Sequence, residues 1–327
     1  MMAAGQVGWT RVGAAAALAS VLAVPGALSA DAGRSSASSA PAARQAPAFR
    51  AGVDVVSLSV TVTDPAGRYV AGLAPGQFQV FEDGVPQEVS YFSRSDVPVA
   101  LALLLDTSVS MEDRMATAQD AAVGFARRLH PGDVAELIAF DRTVRIVQAF
   151  TGDQAALERA IRSTRAADAT SLYNAVYVSL RELKKHRAAR DRDIRRQAIV
   201  VVSDGADTSS LVSYDEVLDL ARRSETAIYT IGLRSKAESE SRAFHEAEFV
   251  LRQLARETGG RAFFPDRVED LVGVYTQIAD ELASQYVLGY ISRNAKRDGA
   301  WRRVVVRVDR PGATARTRPG YYAPSGR

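Results

Sequence analysis

The sequence predicts an α/β protein: a doubly wound, mostly parallel sheet with one antiparallel edge strand, inserted in or flanked by a small all-β domain. Three observations carry this. Val99–Leu105 and Ala198–Val202 are continuously apolar, the mark of strands covered on both faces. Segments with apolar residues at spacings of 3 and 4 alternate with such strands, as in open α/β sheets. Before residue 95 and after residue 285 the apolar period drops to two, which is the period of half-buried strands.

Taken in order, Val56, Leu58, Val60 and Val62 alternate with Ser57, Ser59, Thr61 and Thr63, which predicts a strand. Asp64-Pro65-Ala66-Gly67 is a turn. Phe78 and Val80 alternate with glutamines, Asp83-Gly84 signals a hairpin, and a strand resumes at Val89 and Tyr91. The apolar strand ending at Leu105 leads into a helix carrying Met111, Met115, Ala118, Ala122, Phe125 and Leu129, closed by Pro131-Gly132-Asp133. Val134–Phe140 and Thr143–Ala149 are strands joined only by Asp141-Arg142. So short a loop forces an antiparallel pair and supplies the edge strand. Helices are predicted at 153–163 and 171–186, then the apolar strand at 198–202, a helix near 214–223 and a strand at Ala227–Ile231. A helix ending at Gly259-Gly260 and a short strand at Arg261–Phe264 follow. The last helix places Val268, Leu271, Tyr275, Ile278 and Leu282 on one face. Tyr286–Ile291, Trp301–Val308 and a stretch ending at Gly320-Tyr321-Tyr322 are strands.

This divides the chain into a leader at 1–30, a linker at 31–50, a β segment at 51–95, an α/β domain at 96–284 and a β segment at 285–323. The two β segments are each too small to bury a core alone, so they are expected to pack together around the inserted α/β domain. Arg11, the 13-residue apolar run Val12–Val24 and the small residues around Ala27-Leu28-Ser29 have the layout of a secretory signal peptide. The run is shorter than the ~20 residues of a spanning helix, so no transmembrane segment is expected in the mature chain and the protein is read as exported. Residues 31–50, rich in Ala, Ser and Pro, read as a flexible linker.

Composition removes several classes of function. The 327 residues contain 41 Lys and Arg against 38 Asp and Glu, too even a balance for a nucleic-acid coat, and no nucleic-acid partner is expected. The absence of cysteine removes disulfides, thiolate metal sites and a cysteine nucleophile. His130, His186 and His245 fall near predicted helix ends and suggest no triad. The basic runs at Lys184–Arg196 and Arg293–Arg318 are read as solvated faces, with an anionic partner patch as the other reading of the first.

The chemistry gathers elsewhere. Asp106, Ser108 and Ser110 follow the first buried strand directly, and ligands of α/β sheets sit beyond such carboxyl ends. Asp168-Ala169-Thr170-Ser171 brings hydroxyls at a second loop, and Ser203-Asp204-Gly205 follows the other buried strand. Carboxylates and hydroxyls without imidazole or thiolate suit a hard cation: Mg²⁺ first, otherwise Mn²⁺ or Ca²⁺. For the first segment alone, Ser110 as a helix N-cap is an equal reading.

At these residues the chain resembles the von Willebrand factor type A domains over roughly 97–284. The resemblance implies that Asp106, Ser108, Ser110, Thr170 and Asp204 form a metal-ion-dependent adhesion site, which accepts an acidic residue of a protein ligand on its metal. Val109 stands where such domains often carry Gly, and Asp168-Ala169 where Gly precedes the Thr. The segments Phe78–Gly84, Ser203–Thr208, Tyr286–Tyr290 and Gly320–Tyr322 are also similar to a bacterial exported subfamily labelled acidobacterial-type. The reading is therefore an exported, metal-dependent protein-binding module for adhesion or assembly, and not an enzyme. Two alternatives stand beside it: a structural domain with a vestigial metal site, and a metal-assisted hydrolase with Asp106 as nucleophile. Ser108 stands where aspartyl-phosphate enzymes on similar folds carry a second Asp, and no nucleophile elbow, Walker loop or H-E-x-x-H motif is present. Asp207 is read either as support for a metal ligand or as a cap.

Overall fold

The computed structural model describes residues 55–94, 97–189, 195–204, 207–233 and 242–326. The expected leader and linker lie outside them. The strands are β1 (Val55–Thr63), β2 (Phe78–Glu82), β3 (Val85–Gln87), β4 (Val89–Arg94), β5 (Val99–Asp106), β6 (Val134–Phe140), β7 (Val144–Thr151) and β8 (Arg196–Ser203). They continue with β9 (Thr226–Gly232), β10 (Ala262–Phe263), β11 (Tyr286–Ile291), β12 (Trp301–Val308), β13 (Thr314–Arg316) and β14 (Gly320–Tyr322). The helices are α1 (Met115–Ala126), α2 (Gln154–Ser163), α3 (Leu172–Ala188), α4 (Tyr214–Arg223), α5 (Arg242–Thr258) and α6 (Leu271–Ser284).

The central sheet has the order β10-β9-β8-β5-β6-β7. Every neighbouring pair is parallel except β6 with β7, which closes the edge antiparallel. The alternation of strand side chains sorts β5 between two cores. Leu101, Leu103 and Leu105 pack with apolar residues of α1, α2 and α6 on one face. Ala100, Ala102 and Leu104 pack with those of α3, α4 and α5 on the other. This two-sided burial is why β5 and β8 read as unbroken apolar runs. The chain leaves β5 toward β6 on one side and returns as β8 on the other, so the strand order reverses between the carboxyl ends of β5 and β8. That crevice is the switch point where ligands of doubly wound sheets sit.

The remaining strands form two four-stranded antiparallel sheets, β13-β1-β11-β4 and β14-β12-β2-β3. Val56, Leu58, Val60 and Val62 of β1, with Leu288 of the neighbouring β11, share one core with Phe78, Val80, Val304 and Val306 of the other sheet. Both sheets pair strands from before the α/β layer with strands from after it: Leu58 lies opposite Leu288, and Val306 opposite Val80. Asp83 and Gly84 both have positive φ, +48° and +83°, as the two-residue turn between β2 and β3 requires. The Asp83 carboxylate accepts the Arg303 amide at 2.8 Å, tying this turn to β12.

Candidate metal centre

Asp106 ends β5 and is wholly buried. Its Oδ1 accepts the Ser108 amide at 2.8 Å, which bends the chain out of the strand, and its Oδ2 accepts the Ser203 hydroxyl from the end of β8. Residues 109–114 form a 3₁₀ helix before α1 starts at Met115. Ser110 is not a cap there. Its hydroxyl instead donates to Asp204 Oδ1 at 2.7 Å, and its oxygen lies 3.0 Å from Ser108 Oγ. Since the single Ser110 proton goes to Asp204, Ser108 is the donor of that second bond. Asp106, Ser108, Ser110 and Asp204 thus form one cluster at the switch point, with Ser108 and Asp204 buried and Ser110 exposed as its opening.

Thr170 reaches the same place through the backbone. Ala167 donates to the Thr107 carbonyl at 2.7 Å and Val109 to the Asp168 carbonyl at 3.0 Å, which clips the two loops together. The Thr170 carbonyl accepts the amides of Thr208 and Ser209. Among the described residues, the Thr170 side chain hydrogen-bonds to none of the other four. Asp168 holds a φ of +55°, a left-handed conformation that explains the preference for glycine there, and pairs with Arg142 at 2.9 Å. Asp207 is a cap: its carboxylate accepts the Tyr173 amide in the first turn of α3 and the Ser210 hydroxyl.

Sequence reasoning missed Arg114. Its guanidinium binds Asp204 Oδ2 and so balances one of the two carboxylates. No periodicity marks such a residue, because its partner lies 90 positions away. Asp106 has no cationic partner among the described residues. Burial pushes its carboxyl up to about 6, the Asp204 charge adds to that, and the bonds from Ser108 and Ser203 oppose it. A buried carboxyl flanked by hydroxyl oxygens, with no cation of its own, is a donor set that fits a hard divalent ion. Among the described residues no three His, Asp or Glu side chains converge as a metal site; a cation held here would rest on two carboxylates and the hydroxyls.

Residues 101–206 match the family model described as the von Willebrand factor type A domain. The match covers about a third of the chain. The chain's fold is that of the von Willebrand factor type A domain, with flanking β elements. No curated protein matches the chain. Among solved structures, a von Willebrand factor type A protein from Catenulispora acidiphila is 12% identical, covering 84% of this chain and 76% of that one, with a TM-score of 0.49. The von Willebrand factor domain of the type V pili tip protein Mfa5 from Porphyromonas gingivalis is 15% identical, covering 56% and 94%, with a TM-score of 0.43. Proximal thread matrix protein 1 of the mussel byssus, described with a zinc-occupied MIDAS motif, is 12% identical, covering 62% and 49%, with a TM-score of 0.47. Among the described residues of the present chain, no helix is long and apolar enough to cross a membrane.

Proposed function

We propose that this domain is an exported, metal-dependent protein-binding module of the acidobacterial-type subfamily, working in adhesion or assembly. Asp106, Ser108, Ser110, Thr170 and Asp204 would hold one Mg²⁺, or Mn²⁺ or Ca²⁺, some through water. The ion would supply an electrophilic position for a carboxylate of a protein partner. The observation that carries this reading is the hydrogen-bonded chain from Ser108 through Ser110 to Asp204, beside buried Asp106, at the switch point. Hydroxyl ligands are neutral and Arg114 offsets the charge of Asp204, so the ion, Asp106, Asp204 and Arg114 together would keep one net positive charge for a carboxylate of the partner. Two exposed apolar side chains support a protein partner: Val109, 58% exposed, lies between the two serines, and Leu211, 95% exposed, follows the loop that binds Thr170. We assign no reaction to the cluster, since it brings no imidazole and Ser108 stands two residues after Asp106, where aspartyl-phosphate chemistry needs a second Asp.

One observation favours a second reading, a structural domain with a vestigial site: Arg114 already neutralises Asp204. Calorimetric titration with Mg²⁺, Mn²⁺ and Ca²⁺, with thermal melts in metal and in chelator, separates the two. Saturable heat and a raised melting temperature support the binding module. If neither appears at millimolar metal, the site is vestigial.

A further inference from the structure

At the other end of the sheet, where β5, β8 and β9 begin, a partly open cavity of about 50 Å³ lies between the α/β layer and the β1 sheet. That is several times the ~10–15 Å³ one water needs. Ser57 and Ser59 line it from β1, Thr317 and Arg318 from the segment after β13, and Arg187 and Glu225 from the α/β layer. Two of the residues that line it each carry a buried polar atom without a partner. Arg318 is 9% exposed, and its Nε is buried without a partner; the same holds for Thr317 Oγ1. Buried donors are rarely left so. The rest of the Arg318 guanidinium is fixed, with Nη2 donating to the Ser57 carbonyl at 2.9 Å.

The charge is unbalanced in the same direction. Glu225 pairs closely with Arg187, at 2.6 Å, and stands 3.9 Å from Arg318, so one carboxylate serves two guanidinium groups. The cavity adjoins a wider groove of about 590 Å³, which shares Arg187, Glu225 and Arg318 and adds Lys296 to its wall. A planar guanidinium with a free N–H, flanked by hydroxyls, is the donor set that a tetrahedral oxyanion takes.

We propose that this cavity is a binding site for a phosphate-class oxyanion, held by Arg318 Nε and the Thr317 hydroxyl, with Ser57 and Ser59 beside it. The anion would satisfy both orphan atoms and the surplus positive charge. The site is independent of the metal centre, which lies beyond the opposite ends of the same strands. Two sources share this chemistry: free inorganic phosphate or sulfate, and the phosphate end of a larger molecule lying in the groove.

Thermal melts and calorimetry of the full chain, with inorganic phosphate, sulfate and glycerol phosphate, test it against chloride at matched ionic strength. Saturable stabilisation by phosphate is expected. Thr317→Val removes one hydroxyl at constant charge and should weaken binding about tenfold, as loss of a hydrogen bond to a charged group does. Arg318→Met should abolish binding; should that variant fail to fold, Thr317→Val with Ser59→Ala decides alone. Glycerol phosphate binding at least as tightly as phosphate assigns the site to a larger ligand, and binding of the free ions alone assigns it to inorganic anions. No saturable response beyond chloride, or Thr317→Val responding as the wild type does, overturns the proposal.

Discussion

Arg114 balances one carboxylate of the proposed metal site from within the chain. Its guanidinium occupies an oxygen of Asp204, so a cation drawing on both carboxylates must share that residue with it. Replacing it by alanine should therefore act in two directions. Without metal, Arg114→Ala leaves the buried Asp204 carboxylate with fewer partners and should lower stability by about 1–2 kcal/mol. With metal, the freed oxygen should tighten Mg²⁺ or Mn²⁺ binding several-fold, read by calorimetry. A variant that loses stability but binds metal no better would show that Arg114 does not compete for the ion. The ligand residues should respond differently: Asp106→Ala abolishes metal binding, Ser108→Ala and Ser110→Ala each weaken it about tenfold, and all three keep the fold by far-UV circular dichroism.

Individual elements show what the sequence could and could not convey. The α/β layer was legible because its strands are covered on both faces, which writes an apolar run such as Val99–Leu105 that no exposed strand tolerates. The antiparallel edge was legible from the two residues Asp141 and Arg142. The start of α1 was not: the 3.6-residue period runs back to Met111, but residues 109–114 tighten to a 3₁₀ turn while the Ser110 hydroxyl reaches Asp204. That partner comes from β8's end, and no local pattern encodes it. β13 escaped notice because three residues carry no measurable period. β6 hides a further feature. Glu136 is buried in this strand with Oε1 unpartnered, and burial raises its carboxyl to about 8, Glu182 adding and Lys185 opposing. The native state thus keeps a proton that the unfolded chain, near 4.5, has released. Stability from this group is full below about 4.5 and is lost as pH rises toward about 8. Glu136→Gln, neutral at every pH, should be nearly silent at the acid end and stabilising by roughly 4–5 kcal/mol at the alkaline end. Urea unfolding at both ends checks this; an equal gain at each would mean the group is not protonated in the fold.

For the whole molecule, the question is what makes the sandwich and the α/β layer one folding unit. Both sheets of the sandwich mix strands from either side of the α/β layer, so neither β segment completes a core by itself. The joint is sealed by a polar network around Glu281 of α6, which is wholly buried. Its carboxylate accepts Tyr229 of β9 at 2.7 Å, Thr61 of β1 at 3.2 Å and Arg316 of β13 at 2.5 Å. Gln285 donates to Thr61 and Tyr229 and accepts from Arg196, extending the network to β8. Removing the central acceptor leaves a guanidinium and three hydroxyls, that of Tyr69 included, without their common partner. Glu281→Ala should therefore cost about 3–5 kcal/mol, the usual loss when one member of a buried ion pair is deleted. Adding Arg316→Met should cost less than the sum of the two single changes, because the orphaned charge goes with it. Two probes can follow the layers separately. In protein lacking residues 1–30, Trp301 on β12 is the one tryptophan and reports the sandwich, while far-UV circular dichroism follows the helices. In the wild type the two urea transitions should coincide. In Glu281→Ala they should separate, with Trp301 moving first, since the sandwich is the smaller part and loses the joint that the helical layer can spare. Coincident transitions in the variant would place the coupling in the apolar contacts and not in this network.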